Sequence, residues 1–389
     1  MKINLFICLK IPLNANDFNR FGIDYLNKRF NLVILDCSKW LLPYSQNRVD
    51  SVLNTFLIIE ICNFKQFKNY LKNKSGYVID YVGQFSPKSI IMFNFLVKNN
   101  FDIVVIDTVP FPIPEKLISS NIIEKFKQTI LFGGWKSHVF AKINKILLYF
   151  LKDQSPKIAL TSGDFWKSNS RYLSSKKKVN GHSLDYEIFL KVSNEKYSNK
   201  FLKSKRYAVY IDENLTNHPD NLEVGFPNPA TSAKFYPRLK NFFEIIKNRF
   251  KLNIICATYP SGNMEFGKYI SSKSFSNLTP QLIKNCDLVL AHGSTAISFA
   301  ILWKKPIIFI TSSEIEKSWY NGWIEAPSKY LKSPLINIDD FKEKMLEKKI
   351  NKKCYQDYKN NFIKTFKSKK VSLWKILYNV IKEDVRNGK

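Results

Sequence analysis

Asp212 and Glu213 stand side by side directly after the apolar run Tyr207-Ala208-Val209-Tyr210-Ile211. Two adjacent carboxylates beyond a strand can supply a general base, because each discourages ionisation of the other. A solvated loop is the plain alternative. His218 and Asp220 follow in Asn217-His218-Pro219-Asp220. A second polar loop, Thr258-Tyr259-Pro260-Ser261-Gly262-Asn263, follows the apolar run Leu252 to Ala257. A third chemical stretch is His292-Gly293-Ser294-Thr295. A lone histidine at a strand end is more often a structural hydrogen-bonder than a catalyst, but this one adjoins two hydroxyls and a glycine.

The third stretch sits inside an ordered pattern. Asp287 to Ala291 is a short apolar run of buried-strand type, closed by His292-Gly293. Ser294 or Thr295 reads as the N-cap of a helix with Ile297, Phe299, Ala300 and Leu302 on its apolar face, and Pro306 precedes the next strand, Ile307 to Ile310. Such a strand–Gly-Ser-Thr–helix–strand unit offers free backbone N–H groups and two hydroxyls at the carboxyl edge of a sheet, where anions such as phosphate bind. An ordinary capped turn would look the same.

Composition narrows the classes. With 389 residues, 45% of them hydrophobic and 15% aromatic, the chain has material for two cored domains and is far from a disordered profile. Lys and Arg number 61 against 32 Asp and Glu, a net charge of +29. That excess favours anionic partners such as nucleic acid, an anionic lipid surface or phosphorylated substrates, although most of it can be solvated lysine. The six cysteines form no zinc or CxxC spacing; four of them (Cys8, Cys37, Cys62 and Cys256) fall in or beside apolar runs as small core residues. No apolar run reaches the roughly 18 residues of a membrane span. The N-terminal apolar stretch reads as a strand rather than a signal peptide, and the expected place is the reducing cytoplasm, with peripheral attachment to the inner face of the membrane as an extension.

Strand and helix patterns alternate from the start. Ile3 to Leu9, Leu32 to Leu35, Phe56 to Ile61, Gly76 to Ile79, Asp102 to Asp107 and Ile158 to Thr161 read as strands, and Asn16-Asp17, Phe64 to Leu71 and Ser86-Pro87 begin or span helices. Ile122 to Leu151 departs from this rhythm: Ile143, Ile146, Leu147 and Phe150 form an apolar stripe beside lysines, as in an interfacial helix or a core helix with a lysine rim. Trp166 to Lys205 reads as a linker region. A second series follows, with Phe235 to Phe250 as a helix that turns Phe235, Leu239, Phe242, Phe243 and Ile246 inward. The tail from Ile338 is helical, with Phe341, Met345, Phe362, Phe366, Leu373, Ile376, Leu377 and Val380 as apolar positions. The expectation is an α/β protein of two Rossmann-like domains facing a cleft: residues 1–195, residues 205–335, and a helical tail at 336–389 packing back on them.

The sequence has no Asp-x-Asp pair, Walker A loop, GxGxxG or Gly-x-Ser-x-Gly elbow. The order acidic pair, x-Pro, Ser-Thr resembles bacterial GT-B-type glycosyltransferases of surface polysaccharide assembly that use CMP-activated acidic sugars, the sialyltransferase- and Kdo-transferase-like families. In those families an acidic-acidic-Gly motif supplies the base, and His-Pro and Ser-Ser/Thr motifs hold the nucleotide phosphate. Asp212-Glu213-Asn214, Tyr259-Pro260 and Ser294-Thr295 lie at the three motifs, over roughly residues 205–311. Asn214 replaces the glycine and Tyr259 the histidine, so His292 or His218 would stand in as the leaving-group acid.

The resemblance implies an acceptor-binding N-terminal domain and a nucleotide-sugar-binding C-terminal domain. Asp212 or Glu213 would deprotonate a glycan or lipid-linked acceptor, and the Gly293-Ser294-Thr295 segment would hold the departing phosphate of a CMP-linked donor. No metal or other cofactor is expected, because lysines and the helix end supply positive charge, and no specific nucleic acid is expected as partner. A UDP-sugar or CDP-glycerol donor, a sugar-nucleotide epimerase, or a basic anion- or nucleic-acid-binding protein without enzyme activity are the rival readings.

Overall fold

The computed structural model describes residues 2–387 apart from 14, 43–56, 85, 109, 115–142, 144–145, 147–154, 166–169, 196–205, 219–220, 222–226, 260–263 and 271. The chain divides into two compact units: Met1–Pro110 with Gly134–Glu187 and Lys364–Lys389, and Phe111–Gly133 with Ile188–Ile363. The tail expected as one segment is therefore shared, its last helix belonging to the first unit.

The first unit is built on seven parallel strands: β1 (Asn4–Leu9), β2 (Asn31–Asp36), β3 (Ile58–Glu60), β4 (Tyr77–Asp80), β5 (Asp102–Ile106), β6 (Ile158–Thr161) and β7 (Lys177–Asn180), in the order β3-β2-β1-β4-β5-β6-β7. Alternate residues of a strand face opposite sides. Leu5, Ile7 and Leu9 thus enter one core layer and Phe6 and Cys8 the other, which is why these strands read as unbroken apolar runs. Helix Phe64–Leu71 begins at Asn63, whose side chain accepts the Gln66 N–H, and helix Pro87–Lys98 begins in a Ser86/Ser89 capping box. The C-terminal helix Leu373–Asn387 buries Leu373, Trp374, Ile376, Leu377 and Val380 in the first of those layers. Gly22, at φ +58°, lies so close beneath Trp374 that a Cβ there would stand 2.2 Å from the indole. Asp384 of the same helix meets Lys157 at 2.7 Å and receives the Tyr77 hydroxyl.

The second unit holds six parallel strands: β8 (Tyr207–Ile211), β9 (Asn253–Thr258), β10 (Lys273–Ser276), β11 (Leu288–Ala291), β12 (Ile307–Thr311) and β13 (Leu335–Asn337), ordered β10-β9-β8-β11-β12-β13. Helix Ser232–Phe250 buries Phe235, Leu239, Phe242, Phe243 and Ile246 as its periodicity predicts.

Several expectations are corrected. The Lys176-Lys177-Lys178 cluster is not linker: β7 pairs with β6 from Lys177 to Asn180, and helix Leu184–Asn194 follows. β7 is an edge strand, where charge is favoured over an apolar run because it blocks further pairing. β10, also an edge, has the pattern Lys-Ser-Phe-Ser and gave no apolar signal. Asn16 and Asp17 lie inside helix Ala15–Arg20 rather than before it. Cys62 is exposed, as are Met345 and, at 81%, Phe366. In the aromatic segment, Leu147 and Phe150 lie outside the described residues, whereas Ile143 and Ile146 are helical and exposed. Among the described residues, no helix is long and apolar enough to cross a membrane.

Candidate functional site

Strand order creates the site in the second unit. The chain builds outward from β8 through β9 to β10, then returns to the other side of β8 with β11, β12 and β13. The carboxyl ends of β8 and β11 therefore flank the point where the winding reverses, the place where open parallel sheets bind ligands. β8 and β11 pair in register, with Val209 opposite Val289 and Tyr210 opposite Leu290. Continuing that register brings the Asp212-Glu213 turn beside His292-Gly293-Ser294.

The two carboxylates have different surroundings. Asp212 is buried; its N–H still pairs with Ala257 O at 2.9 Å, and its Oδ1 accepts the Asn214 N–H at 3.0 Å. Asn214 adopts φ +51° and its amide donates to Asn217 O at 2.8 Å, closing a tight turn. Asn214 can thus serve where the resembled motif has glycine, because Asn tolerates the left-handed region. Glu213 points the other way. Its carboxyl receives the Tyr320 hydroxyl, and burial, the largest influence, raises its pKa to about 7. Hydrogen bonds from Tyr320, the Ser294 hydroxyl and the Gly293 amide oppose that rise, and the charge of Asp212 adds to it. A carboxyl that titrates near neutrality is suited to take or give a proton.

Gly293 is required by packing. A Cβ at this position would sit 2.9 Å from the Tyr320 hydroxyl and 3.1 Å from the Trp323 carbonyl. Ser294 is part-exposed and Thr295 exposed. Neither caps the helix expected after them. That helix spans Ile297–Leu302 with Ala296 at its start and no side-chain cap. Instead the Ser294 and Thr295 carbonyls accept the Ile297 and Ser298 N–H groups at 3.2 and 3.0 Å. Ser294 Oγ accepts the Ala296 N–H at 3.3 Å, a bond ahead of the helix rather than a cap on it, and the same hydroxyl donates to Glu213.

His292 is enclosed, with 0% exposure. Its Nδ1 lies 2.7 Å from the Ile310 carbonyl, which can only accept, so Nδ1 carries the proton and Nε2 accepts the Tyr210 hydroxyl at 3.0 Å. Burial lowers its pKa to about 4. Both nitrogens are occupied inside the core, which fits a structural hydrogen-bonder and not a proton donor to a ligand. His218 is different: part-exposed, its ring lies edge-on to Tyr259 with centroids 5.0 Å apart. The loop after β8 thus supplies a histidine beside the position where the resembled motif has one. Pro260 and Asp220 lie outside the described residues.

Tyr320 escaped sequence reasoning, since nothing in Ser318-Trp319-Tyr320 signals its contact with Glu213. A pocket of about 340 Å³ opens one turn further along helix Asn321–Leu331, lined by Pro112, Pro114, Gly322, Glu325, Lys329 and Tyr330. In the first unit the carboxyl edge holds two more acids, Asp80 buried and Asp107 part-exposed. Asp80 pairs with Arg171. Asp107 accepts the Ser162 hydroxyl at 2.7 Å and is raised in pKa by burial. Among the described residues, no group of three or more His, Cys, Asp and Glu converges in a way that could hold a metal.

No protein-family model and no curated protein matches the sequence. Solved structures do. The wall teichoic acid polymerase TagF (H548A variant) superposes with a TM-score of 0.57 at 8% identity, covering 100% of this chain and 90% of that one. A protein assigned as UDP-N-acetylglucosamine 2-epimerase from Listeria monocytogenes gives 0.54 at 10% identity, with 100% and 97% covered. MnaA of S. aureus, solved with UDP, gives 0.51 at 11%, with 99% and 97% covered. At these identities the likeness is one of fold, and the chain has the GT-B-type fold of two parallel-sheet α/β domains with a helical C-terminal segment.

Proposed function

We propose that this protein is an enzyme acting on a nucleotide-activated sugar or polyol, and that it transfers the activated group to a glycan or lipid-linked acceptor. The observation that carries this reading is the Glu213 carboxyl, held near neutral pKa against Gly293 and Ser294 at the winding reversal of the second sheet. Glu213 takes the proton of the acceptor hydroxyl as its oxygen bonds to the activated carbon. The bond from that carbon to the nucleotide phosphate breaks, and the phosphate departs with the electron pair. Backbone N–H groups and hydroxyls of Ser294 and Thr295 carry the developing charge. Asp212, committed to its own turn, positions Glu213 rather than sharing its role. His218, edge-on to Tyr259, supplies the proton to the leaving group.

A UDP- or CDP-linked donor is favoured over the CMP-linked acidic sugar that the motif resemblance suggested. Support comes from the folds it shares with MnaA, solved with UDP, and with TagF, solved after a CDPG soak (TM-score 0.53, 9% identity). Epimerisation of a UDP-sugar is the second reading, resting on the fold shared with the Listeria protein and MnaA. Departure without a metal, the cytoplasmic face of an anionic membrane as workplace, and a role in surface polysaccharide assembly remain parts of the proposal. Thermal-shift titration with UDP, CDP and CMP tests it, because a ligand of the native state raises the melting temperature by mass action. Stabilisation by UDP or CDP that Ser294→Ala with Thr295→Val abolishes supports the reading. No shift with any nucleotide sinks it. Turnover that persists in excess EDTA checks metal independence.

A further inference from the structure

The largest exposed apolar side chain of the described residues is Phe366, 81% accessible although its neighbours Phe362 and Ile363 are 4% and 0%. It is not on a frayed end. Ser368 N–H bonds to the Thr365 carbonyl at 3.3 Å, closing a four-residue turn with Phe366 and Lys367 at its tip. The base of that turn is interior: Lys364, Thr365 and Ser368 are each 5% exposed or less. The Lys364 ammonium clasps it from within, donating to the Thr365 carbonyl at 2.9 Å and to the Ser368 carbonyl. A buried cation spent on holding two carbonyls makes the turn a stiff platform, and what the platform presents to water is a phenyl ring. Lys367, Lys369 and Lys370 are exposed around it, and the Lys367 ammonium lies 5.9 Å from the ring centre.

We infer that the Thr365–Ser368 turn is a membrane-insertion tip for an anionic lipid surface. A phenyl ring at the apex of a rigid turn can enter the boundary of the acyl chains, while lysines on long stems stay at the headgroups. Three lysines within four residues, with no acidic residue from Ile363 to Trp374, match the negative potential of such a surface. Nucleic acid fits less well, because stacking platforms offer several rings to successive bases, whereas Phe366 is the one aromatic residue between Phe362 and Trp374. The inference shares an anionic membrane with the reading above but assigns contact to this turn, and it does not depend on the chemistry at Glu213.

Co-sedimentation of the full chain with vesicles of phosphatidylglycerol and phosphatidylcholine, against phosphatidylcholine alone, tests it. The expected result is binding that needs phosphatidylglycerol and weakens with salt. Phe366→Ser should lower the affinity roughly tenfold or more, and Phe366→Leu should restore most of it. Each of Lys367→Ser, Lys369→Ser and Lys370→Ser should cost about fivefold. Unchanged melting temperatures and nucleotide shifts in these variants separate the result from misfolding and from the nucleotide site. Failure of the native chain to bind these vesicles overturns the inference. So does full binding by Phe366→Ser, in which case loss on Ile143→Ser with Ile146→Ser would move the contact to that helix. Capture of a single-stranded oligonucleotide in place of vesicles, lost on Phe366→Ser, overturns it in favour of nucleic acid.

Discussion

The Tyr320 hydroxyl donates to the Glu213 carboxylate across 107 residues of sequence. This contact joins the first strand of the second unit to the segment beyond its fifth, and Gly293 lies against the same hydroxyl. Three chain segments therefore share one acid–base group.

Glu213→Gln and Asp212→Asn should differ in kind. The first removes the proton acceptor and should lower turnover roughly 10²–10⁴-fold while nucleotide still binds. The second should loosen the turn at Asn214 and act mainly through stability. Steady-state kinetics paired with melting curves distinguish them, and full activity in Glu213→Gln would return His218 or Asp220 to candidacy as the base.

Glu213 also links stability to pH. Its pKa rises from 4.5 to about 7 on folding, so the native state holds the proton more tightly. The resulting stability is fully present below pH 4.5 and is lost as pH rises through about 7. Denaturant titrations should show Glu213→Gln gaining on the native protein between pH 5 and 8, by up to about 3 kcal/mol. Tyr320→Phe removes a donor that favours the charged form and should move the acid limb of activity, below which Glu213 holds its proton and cannot act as base, to higher pH.

A phosphate bound at Gly293-Ser294 must take donors that now serve Glu213. Nucleotide binding should then take up a proton, and affinity should fall as pH rises through about 7. Isothermal titration in buffers of different ionisation enthalpy measures that proton. Its persistence in Glu213→Gln would count against the coupling. Ser294→Ala should weaken binding by about 1.5–3 kcal/mol.

Gly293→Ala should be costly although it removes no ionisable group. The added methyl meets the Trp323 main-chain carbonyl at 3.1 Å, and overpacking of this sort costs about 1–3 kcal/mol. A lower melting temperature together with a changed activity–pH profile is the expected pair of results.

His292 should show the opposite linkage to Glu213. Its pKa falls from 6.5 to about 4 on folding, so it contributes stability that is present above 6.5 and is lost as pH falls through about 4. Chemical denaturation between pH 7 and 4 should show up to about 3 kcal/mol of this loss. A variant such as His292→Asn should show a flatter acid limb.

What the sequence by itself determined is what burial dictates locally. Tyr207–Ile211, Leu288–Ala291 and Ile307–Thr311 are covered on both faces and so must be apolar throughout. Helix Ser232–Phe250 has one buried side and shows it as a period. From these runs the α/β class and the chemical loops at Asp212-Glu213 and Ser294-Thr295 were legible. Tertiary structure alone decided the rest. β7 and β10 are edges that one neighbour specifies, so their lysines and serines carried no strand signal. Which carboxylate meets Tyr320 depended on the Asn214 turn, and whether His292 could meet a ligand depended on Tyr210 and Ile310 closing over it. Tyr320 reached Glu213, and Phe366 was left in water, through contacts between residues far apart in the chain. Local periodicity records how deeply a segment is buried, whereas the identity of the neighbours that bury it is set only when the sheet order is complete.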